Sequence, residues 1–490
     1  MRSVQAPEPG RRAPGFGWRV FLTCWLVYTV FWAPYIVREH FPAITLFERG
    51  TLNVEPYLGW SEDIFRGPNG GAFINNNPGA SLVGAIPMVL LRSLLSAIDR
   101  WNQEHPASKP GPGDEPILSR TVAARREYFF LAVAFVTVAL AMAPATAFTA
   151  WFLYSRLSDA GVPRGAAAQA AVLYGLGTPV FYRAAHLNHN LLVCDAGITA
   201  LLLLWDPKQG PLPPMRAFGA GLLAGLALLC DYSGVVVILT VGLYTFLRVW
   251  QETNLGRMTR PLIAFCSGVA PMTAVLLIYQ AWAFGSFYHP SQHFMTPTVP
   301  TSRGYRGFDW PSARLLWANF FDPRFGLFAY CPALLLAFAA PFIKHARFRV
   351  PPVETGILFG YFGLFVLFCA SNQYSWLQPL TGFRYLVPVV PPLAILTFQT
   401  CQVFHSWMKW GIAVVTLAQS FIMSMAHQNN LWTSIQSLIE DHFGLTWMVR
   451  MGELGVGVTW VWTVTVFTIL VALVAWIWLP TRKVTSGALQ

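Results

Sequence analysis

Residues 37–80 carry Glu39, Glu48, Glu55, Glu62 and Asp63, five of the chain's 22 acids, together with Arg38, His40, Arg49 and Arg66. A carboxylate can take a proton from a hydroxyl group if a rigid element holds it within hydrogen-bond reach. Glu39 meets that condition best, because it lies just past a long apolar run whose helix would fix its height. Glu48 and Asp63 are candidates for the same role in less regular sequence. The plainer alternative is a Glu39–Arg38 ion pair with no chemistry.

A second group is Arg183, His186, Asn188, His189 and Asn190, between two apolar runs. His186 and His189 are one helical turn apart, so they could share a face and hydrogen-bond a substrate, or simply pack at an interface. His-x-x-His without a third ligand is a poor zinc site, and no metal is expected. Asp231 is an acid at membrane depth, which marks either a functional site or a helix start. Asp195 has the same status without an obvious partner. The Pro- and Gly-rich segment 285–325 carries His289, His293, Arg303, Arg306, Asp309, Asp322 and Arg324. It reads as a loop able to cover a groove, with Arg324 a candidate substrate contact. Arg384, followed by Tyr385, opens an apolar, Pro-rich run. An arginine there can hold a phosphate with two parallel hydrogen bonds, or snorkel to the interface.

The elements that must position these residues are membrane helices. The chain has 490 residues, of which 55% are hydrophobic, 15% aromatic and only 11% charged, and its mean hydropathy is +0.47. A soluble domain has about 25% charged residues. Apolar runs near 20 residues recur along the chain, which defines an all-α polytopic membrane protein. The net charge of +11 comes without any nucleic-acid motif and suits cytoplasmic loops facing anionic headgroups. The seven cysteines lie in or beside apolar runs with no CxxC pair, so neither zinc nor a disulfide framework is indicated. The first apolar run is too long for a signal-peptide core and has no clean cleavage site.

Spans are expected at 18–37, 128–154, 165–185, 189–205, 217–230, 232–250, 261–284, 326–343, 354–372, 384–401, 408–426 and 454–479, about twelve in all. Arg2, Arg11, Arg12 and Arg19 place the N-terminus in the cytoplasm. Basic turns around Arg156, Lys208, Arg248, Lys344, Lys409 and Arg482 mark the same side. Residues 186–189, 286–324, 373–383 and 427–453 then fall outside. Segment 217–230 is only roughly 21 Å long against a core about 30 Å thick, so with 232–250 it forms a hairpin whose tip, Asp231 to Ser233, stops near the outer interface. Segment 79–98 is apolar but interrupted by Pro87 and Arg92. Laid along the membrane surface, it leaves both basic termini inside; Arg120, Arg125 and Arg126 then lie outside, against the charge bias. The resulting organisation is a cytosolic tail at 1–17, a main module at 18–401 with external loops 38–127 and 285–325, and further helices with a short tail at 402–490.

The order of these pieces resembles the GT-C class of integral-membrane glycosyltransferases, the group of bacterial aminoarabinose transferases and protein O-mannosyltransferases. The pieces are Arg38-Glu39, ITLFERGTLNVEPY, Asn69-Gly70, Asn77-Pro78-Gly79, LYGLGTPVFYRAAHLNHN, GLLAGLALLCDYSG, FGSFYH, FFDPRFGLFAYCPALLL and GFRYLVPVVPPL. The resemblance implies inverting transfer of a sugar from a polyprenyl-phosphate donor to a lipid, glycan or protein acceptor. It implies an active site on the outer face of the bacterial inner membrane, with membrane lipids and the lipid-linked sugar as partners. It puts the base on Glu39, where the class usually has an Asp-containing motif. It puts His186 and His189 where many members carry an acid, and Asn77 where a polar residue precedes the proline of the surface helix. No metal or other cofactor is implied, since no D-x-D motif is present. A lipid transporter or flippase, or a non-catalytic envelope assembly protein, is the alternative; no repeat-symmetric pair of broken helices favours transport.

Overall fold

The structure, a computed structural model, describes residues 15–106, 126–207, 210–250, 254–296, 299, 302–380, 382–426, 430–441 and 443–479. Several residues used above for orientation, among them Arg2, Arg11, Arg12, Arg120, Arg125, Lys208 and Arg482, lie outside the described residues.

The described chain is almost entirely helical, and its apolar helices make it a membrane-embedded protein. Five helices are long and apolar enough to cross a membrane: Glu127–Asp159, Leu255–Phe284, Pro352–Ser371, Ser406–Ala426 and Trp460–Trp478. Phe16–Val30, His189–Leu204, Pro214–Cys230, Gly234–Val249, Pro332–Phe342 and Val387–Cys401 are shorter apolar helices that overlap expected spans. The first stops at Val30 and not at 37, so the chain reaches Glu39 through non-helical residues, and the helix His40–Arg49, not the first span, holds that carboxylate. The expected span 165–185 is a helix only over Arg164–Leu176, followed by the short turn Val180–Arg183. The expected span 326–343 is not one α-helix. Tyr330 is followed by Cys331 out of helical conformation and then by a 3-10 run over Pro332–Phe342, because Pro332 cannot continue the hydrogen-bond ladder.

Packing follows residue size. Pro214–Cys230 lies between His189–Leu204 and Leu255–Phe284. A methyl on Gly221 would run into the carbonyl of Phe265, so these two backbones touch directly, as small-xxx-small pairs permit in a bilayer. Leu255–Phe284 keeps Ile263, Val275 and Ile278 exposed on its other face, where lipid would lie.

The first long loop has its own apolar core. Phe41, Ile44, Phe47, Tyr57, Met88 and Phe129 pack together beneath it. Its helix His40–Arg49 ends at Gly50, whose φ of 68° closes the last turn. A hairpin follows, Ile64–Arg66 against Ala72–Ile74, with Ile64 opposite Ile74. The segment 79–98, expected as one surface helix, is two helices, Gly79–Leu90 and Arg92–Glu104, bent by 87°. The pattern changes at the bend. The first helix is apolar on nearly all sides; the second has a polar face with Arg92, Asp99 and Arg100. Asn102 on the second helix is fully buried and accepts the backbone N–H groups of Tyr128 (2.8 Å) and Phe129 (3.3 Å), which anchors the loop to the start of Glu127–Asp159.

Candidate active site

Glu39 stands at the N-cap of His40–Arg49 and is 3% exposed. Its Oε1 gathers three partners: His189 Nδ1 at 2.6 Å, Asn76 Nδ2 at 2.7 Å and Arg38 Nε at 3.4 Å. Burial alone would push this carboxyl up. The Arg38 guanidinium and the His189 hydrogen bond outweigh that and hold it well below the usual carboxylate range. Glu39 is therefore ionised at neutral pH. Arg38 also donates from Nη1 to Asp63 Oδ2 at 2.7 Å. The hairpin register sets Asp63 beside Asn75, whose side chain donates to Asp63 Oδ1 at 2.6 Å.

Three distant segments are stitched to this loop. The Ala33 N–H donates to the Ala185 carbonyl at 2.8 Å, which sets the end of the first span against the histidine segment. His186 and His189 do not share a helix. Asn188 is an N-cap between them, accepting from the Leu191 N–H at 2.8 Å and donating to the carbonyls of Arg183 and His186. This cap locks His189 at the first position of its helix. Asp231 ends Pro214–Cys230 and accepts the Ser233 N–H at 2.8 Å, so it is also a turn-forming acid. Its Oδ2 lies 3.8 Å from His189 Nε2. The approach is fixed by Asn77, which donates to the Leu228 carbonyl at 2.8 Å, and by Gly79, where a methyl would lie 2.6 Å from the Leu229 carbonyl. Ser291 and Gln292 donate to the Asn75 carbonyl at 2.7 and 2.8 Å, which brings the 285–325 segment over the same place.

Two cavities meet here. One, of about 670 Å³, is lined by Glu39, Asp63, Arg183, His186, Asn190 and Arg384, with Ile36, Phe130, Leu131, Met425 and Leu438 among its apolar wall. The other, of about 370 Å³, is lined by Asp231, Tyr232, Gln280, Gln292, Asn372 and Tyr385, with Leu276, Leu277 and Phe368. Arg38 and His189 belong to both. Arg183 and Arg384 are buried and close enough to feel each other's charge. Arg384 donates from Nη2 to the Tyr385 hydroxyl at 2.7 Å, while its buried Nε has no hydrogen-bond partner among the described residues. The buried amide nitrogen of Asn190 has none either. Both side chains line the larger cavity, and a guanidinium and an amide there are groups that bind an oxygen-rich anion.

Of the residues expected at the site, Glu39, Asp63, His186, His189, Asp231, Arg384 and Tyr385 line one or both cavities. Three sit elsewhere. Glu48 is paired with Arg126, which also holds Asp99 and the Tyr57 hydroxyl. Asn77 serves the loop-to-helix join. Arg324 is bound to Asp322 at 2.8 Å on the surface. Asp195, in its helix, finds Thr146 as a partner at 2.7 Å. Asn75 and Asn76 were not singled out by sequence reasoning. The signal was there: Asn75, Asn76 and Asn77 form an uninterrupted amide run between a strand and an apolar helix, and all three are buried. No group of three or more His, Cys, Asp or Glu side chains arranged for a metal occurs among the described residues.

An imidazole held by a buried, ionised carboxylate can accept a proton, and buried guanidinium groups lining the same cavity can stabilise a departing oxyanion. No protein family, curated protein or solved structure matches the chain.

Proposed function

We propose that the protein is an inverting glycosyltransferase of GT-C type. It moves a sugar from a polyprenyl-phosphate donor to a hydroxyl acceptor on the outer face of the cytoplasmic membrane, within a frame of about twelve spans. The observation that carries this reading is the shared cavity, lined by the Glu39–His189 pair and by the guanidinium-bearing side chains of Arg183 and Arg384. The motif order of the sequence supports the same reading.

In this mechanism the donor phosphate lies against Arg183 and Arg384. Charge grows on the leaving phosphate oxygen as the bond to the anomeric carbon breaks, and the buried guanidinium groups stabilise it where water is scarce. The Glu39–His189 pair takes the proton of the attacking hydroxyl. Arg38 and Asn76 hold the carboxylate in place.

The test uses purified protein in lipid vesicles with polyprenyl-phosphate donors carrying a labelled hexose or pentose, and a membrane lipid extract as acceptor source. Label passing to the extract with equal release of polyprenyl phosphate is the expected result, and Arg384→Ala should weaken donor binding. Wild-type protein that neither binds nor consumes any donor in the panel sinks the reading. Movement of intact donor between leaflets without turnover would assign a flippase.

A further inference from the structure

We infer that His189 Nε2 is the atom that takes the acceptor's proton, and that the acceptor is a neutral, lipid-carried glycan hydroxyl seated in the cavity of about 370 Å³. The inference rests on the glycosyltransferase reading and divides its two cavities between two substrates.

The tautomer follows from the hydrogen bonds. An ionised carboxylate only accepts, and Glu39 Oε1 is 2.6 Å from His189 Nδ1. The proton is therefore on Nδ1. Asn76 donates to the same oxygen at 2.7 Å; its nitrogen is also 2.9 Å from Nδ1, but a protonated Nδ1 has no lone pair to accept with, so the amide stands beside the ring without bonding it. Nε2 is left with a lone pair. Asp231 Oδ2, at 3.8 Å, is too far for a hydrogen bond and has no proton to give when ionised. Among the described residues nothing else is bonded to Nε2, which belongs to a side chain 3% exposed and lining both cavities.

The two carboxylates then have different tasks. Glu39 fixes the ring and its tautomer. Its three contacts keep it ionised, which makes it a poor proton acceptor and a good partner for an imidazolium. Asp231 faces the other edge of the ring and offsets the charge that appears when Nε2 is protonated. This is the division of labour in any carboxylate–histidine pair that activates a hydroxyl nucleophile.

The lining of the second cavity suits an uncharged sugar. Gln280, Gln292 and Asn372 line it with amides that bind Tyr232, Asn75 and the Tyr374 N–H; an amide has two hydrogens and two oxygen lone pairs, so each keeps capacity to pair with a hydroxyl group. Leu276, Leu277 and Phe368 line the same space with apolar side chains from helices long enough to cross a membrane. Beyond Arg38, already bound to Glu39 and Asp63, the acidic and basic side chains there are Asp231 and Arg306, one of each sign. The first cavity is lined by charges of both signs, Glu39, Asp63, Glu127, Asp441 and Glu453 against four arginines. Arg38 is bound to Glu39 and Asp63 and Arg450 to Glu127 and Glu453, and in the glycosyltransferase reading Arg183 and Arg384 take the anionic donor.

The step balances. The acceptor O–H bond breaks and its proton goes to Nε2. The freed oxygen pair forms the new bond to the anomeric carbon from the face opposite the phosphate. The old C–O bond breaks with its electron pair on polyprenyl phosphate, which lies against the two arginines. The proton leaves the imidazolium to water through the second cavity.

The experiment compares His189→Asn, whose amide can still donate to Glu39 but has no Nε2, with His189→Ala with and without added imidazole. Both are assayed with the labelled donors and lipid extract that support wild-type turnover. Donor binding should persist in both. Transfer should fall about 10²–10⁴-fold, and imidazole should restore part of it to His189→Ala in proportion to its concentration. Gln280→Leu should raise the acceptor KM while leaving donor binding unchanged. Normal transfer by His189→Asn overturns the inference, as does loss in His189→Ala that imidazole cannot rescue, since His189 would then only orient Glu39. Either result leaves the glycosyltransferase reading standing, because wild-type turnover is the condition for the comparison. Absence of wild-type donor binding and turnover removes both.

Discussion

Glu39 and Glu48 bracket the same short loop helix, His40–Arg49, and both are bound to arginine. At the Glu48 end one arginine serves two carboxylates and a phenol: Arg126 reaches Glu48, Asp99 and Tyr57 and stacks over Phe129 with its guanidinium 4.2 Å from the ring. There Glu48 and Asp99 are both answered by Arg126, which stands at the start of the helix that follows the loop. At the Glu39 end the partners come from four separate parts of the chain, Arg38, Asn76, His189 and the nearby Asp231, and the group opens on two cavities. One end closes a loop onto its helix. The other assembles side chains around space. The carboxylate at the cavity is the one suited to chemistry, and substitutions should separate the two ends by what they cost.

The largest difference should come from Glu39→Gln. It keeps the shape, removes the charge that fixes the His189 tautomer, and should lower transfer about 10²–10⁴-fold with donor binding retained. Turnover in the vesicle assay checks this. A Glu39→Gln protein with the wild-type rate would erase the distinction between the two ends.

His40 gives the next effect, and it concerns stability. Its Nδ1 accepts the Val37 N–H at 3.1 Å and its Nε2 is 3.1 Å from the Thr137 hydroxyl. Burial, only partly opposed by Glu39, pushes its ring down to about 4 from an ordinary 6.5. The unfolded chain then binds the extra proton first. The contribution is complete above pH 6.5 and is lost as pH falls from 6.5 towards 4, to a total of about 3 kcal/mol. Glu39, also held below its ordinary value, keeps its contribution in the upper part of this window and loses it only at lower pH. The melting temperature in detergent should therefore drop between pH 6.5 and 4.5, and His40→Gln should flatten the drop. A wild-type melting curve unchanged over that range would show that the Glu39 end is not sealed as the distances imply.

These two ends were not equally legible in the sequence. Apolar runs marked most helices, because a helix buried in lipid must be apolar over its whole length. Charge placement marked Glu39, His189, Asp231 and Arg384 as residues out of keeping with their surroundings. The runs failed where proline breaks the ladder, at Pro332, and where an apolar pattern turns amphipathic at Leu91. Glu48 and Glu39 looked alike because a carboxylate's role depends on which cation folds back to it. Arg126 is far from Glu48 in the chain, and no periodicity predicts that meeting. Asn76 was hidden for the same reason: an amide announces nothing until a histidine from another helix lies beside it.

Removing the shared cation tests the closed end directly. Arg126→Ala leaves Glu48 and Asp99 without their partner in a mostly buried setting, and should destabilise the protein by about 1.5–3 kcal/mol, the range for hydrogen bonds to charged groups. Transfer measured well below the melting temperature should stay close to wild type. A loss of turnover without a fall in melting temperature would place Arg126 at the reaction instead.

Glu48→Gln should have the smallest effect, and the reason is the asymmetry of the network. Arg126 keeps Asp99, bound through Nε at 2.9 Å and Nη2 at 3.1 Å, so the guanidinium still has an ionised partner. It also keeps the Tyr57 hydroxyl at 2.9 Å and the face of Phe129. The glutamine oxygen can still accept from Nη2, at neutral rather than charge-assisted strength. The cost should be on the order of 1 kcal/mol, the net worth of one hydrogen bond, with no change in transfer. Pairing this variant with Arg126→Ala in a double-mutant cycle isolates the Glu48–Arg126 coupling, which should account for only part of the Arg126 loss because Asp99 carries the rest. If Glu48→Gln instead cost as much activity as Glu39→Gln, the two ends of the helix would belong to one catalytic unit, and the separation drawn from their partners would be wrong.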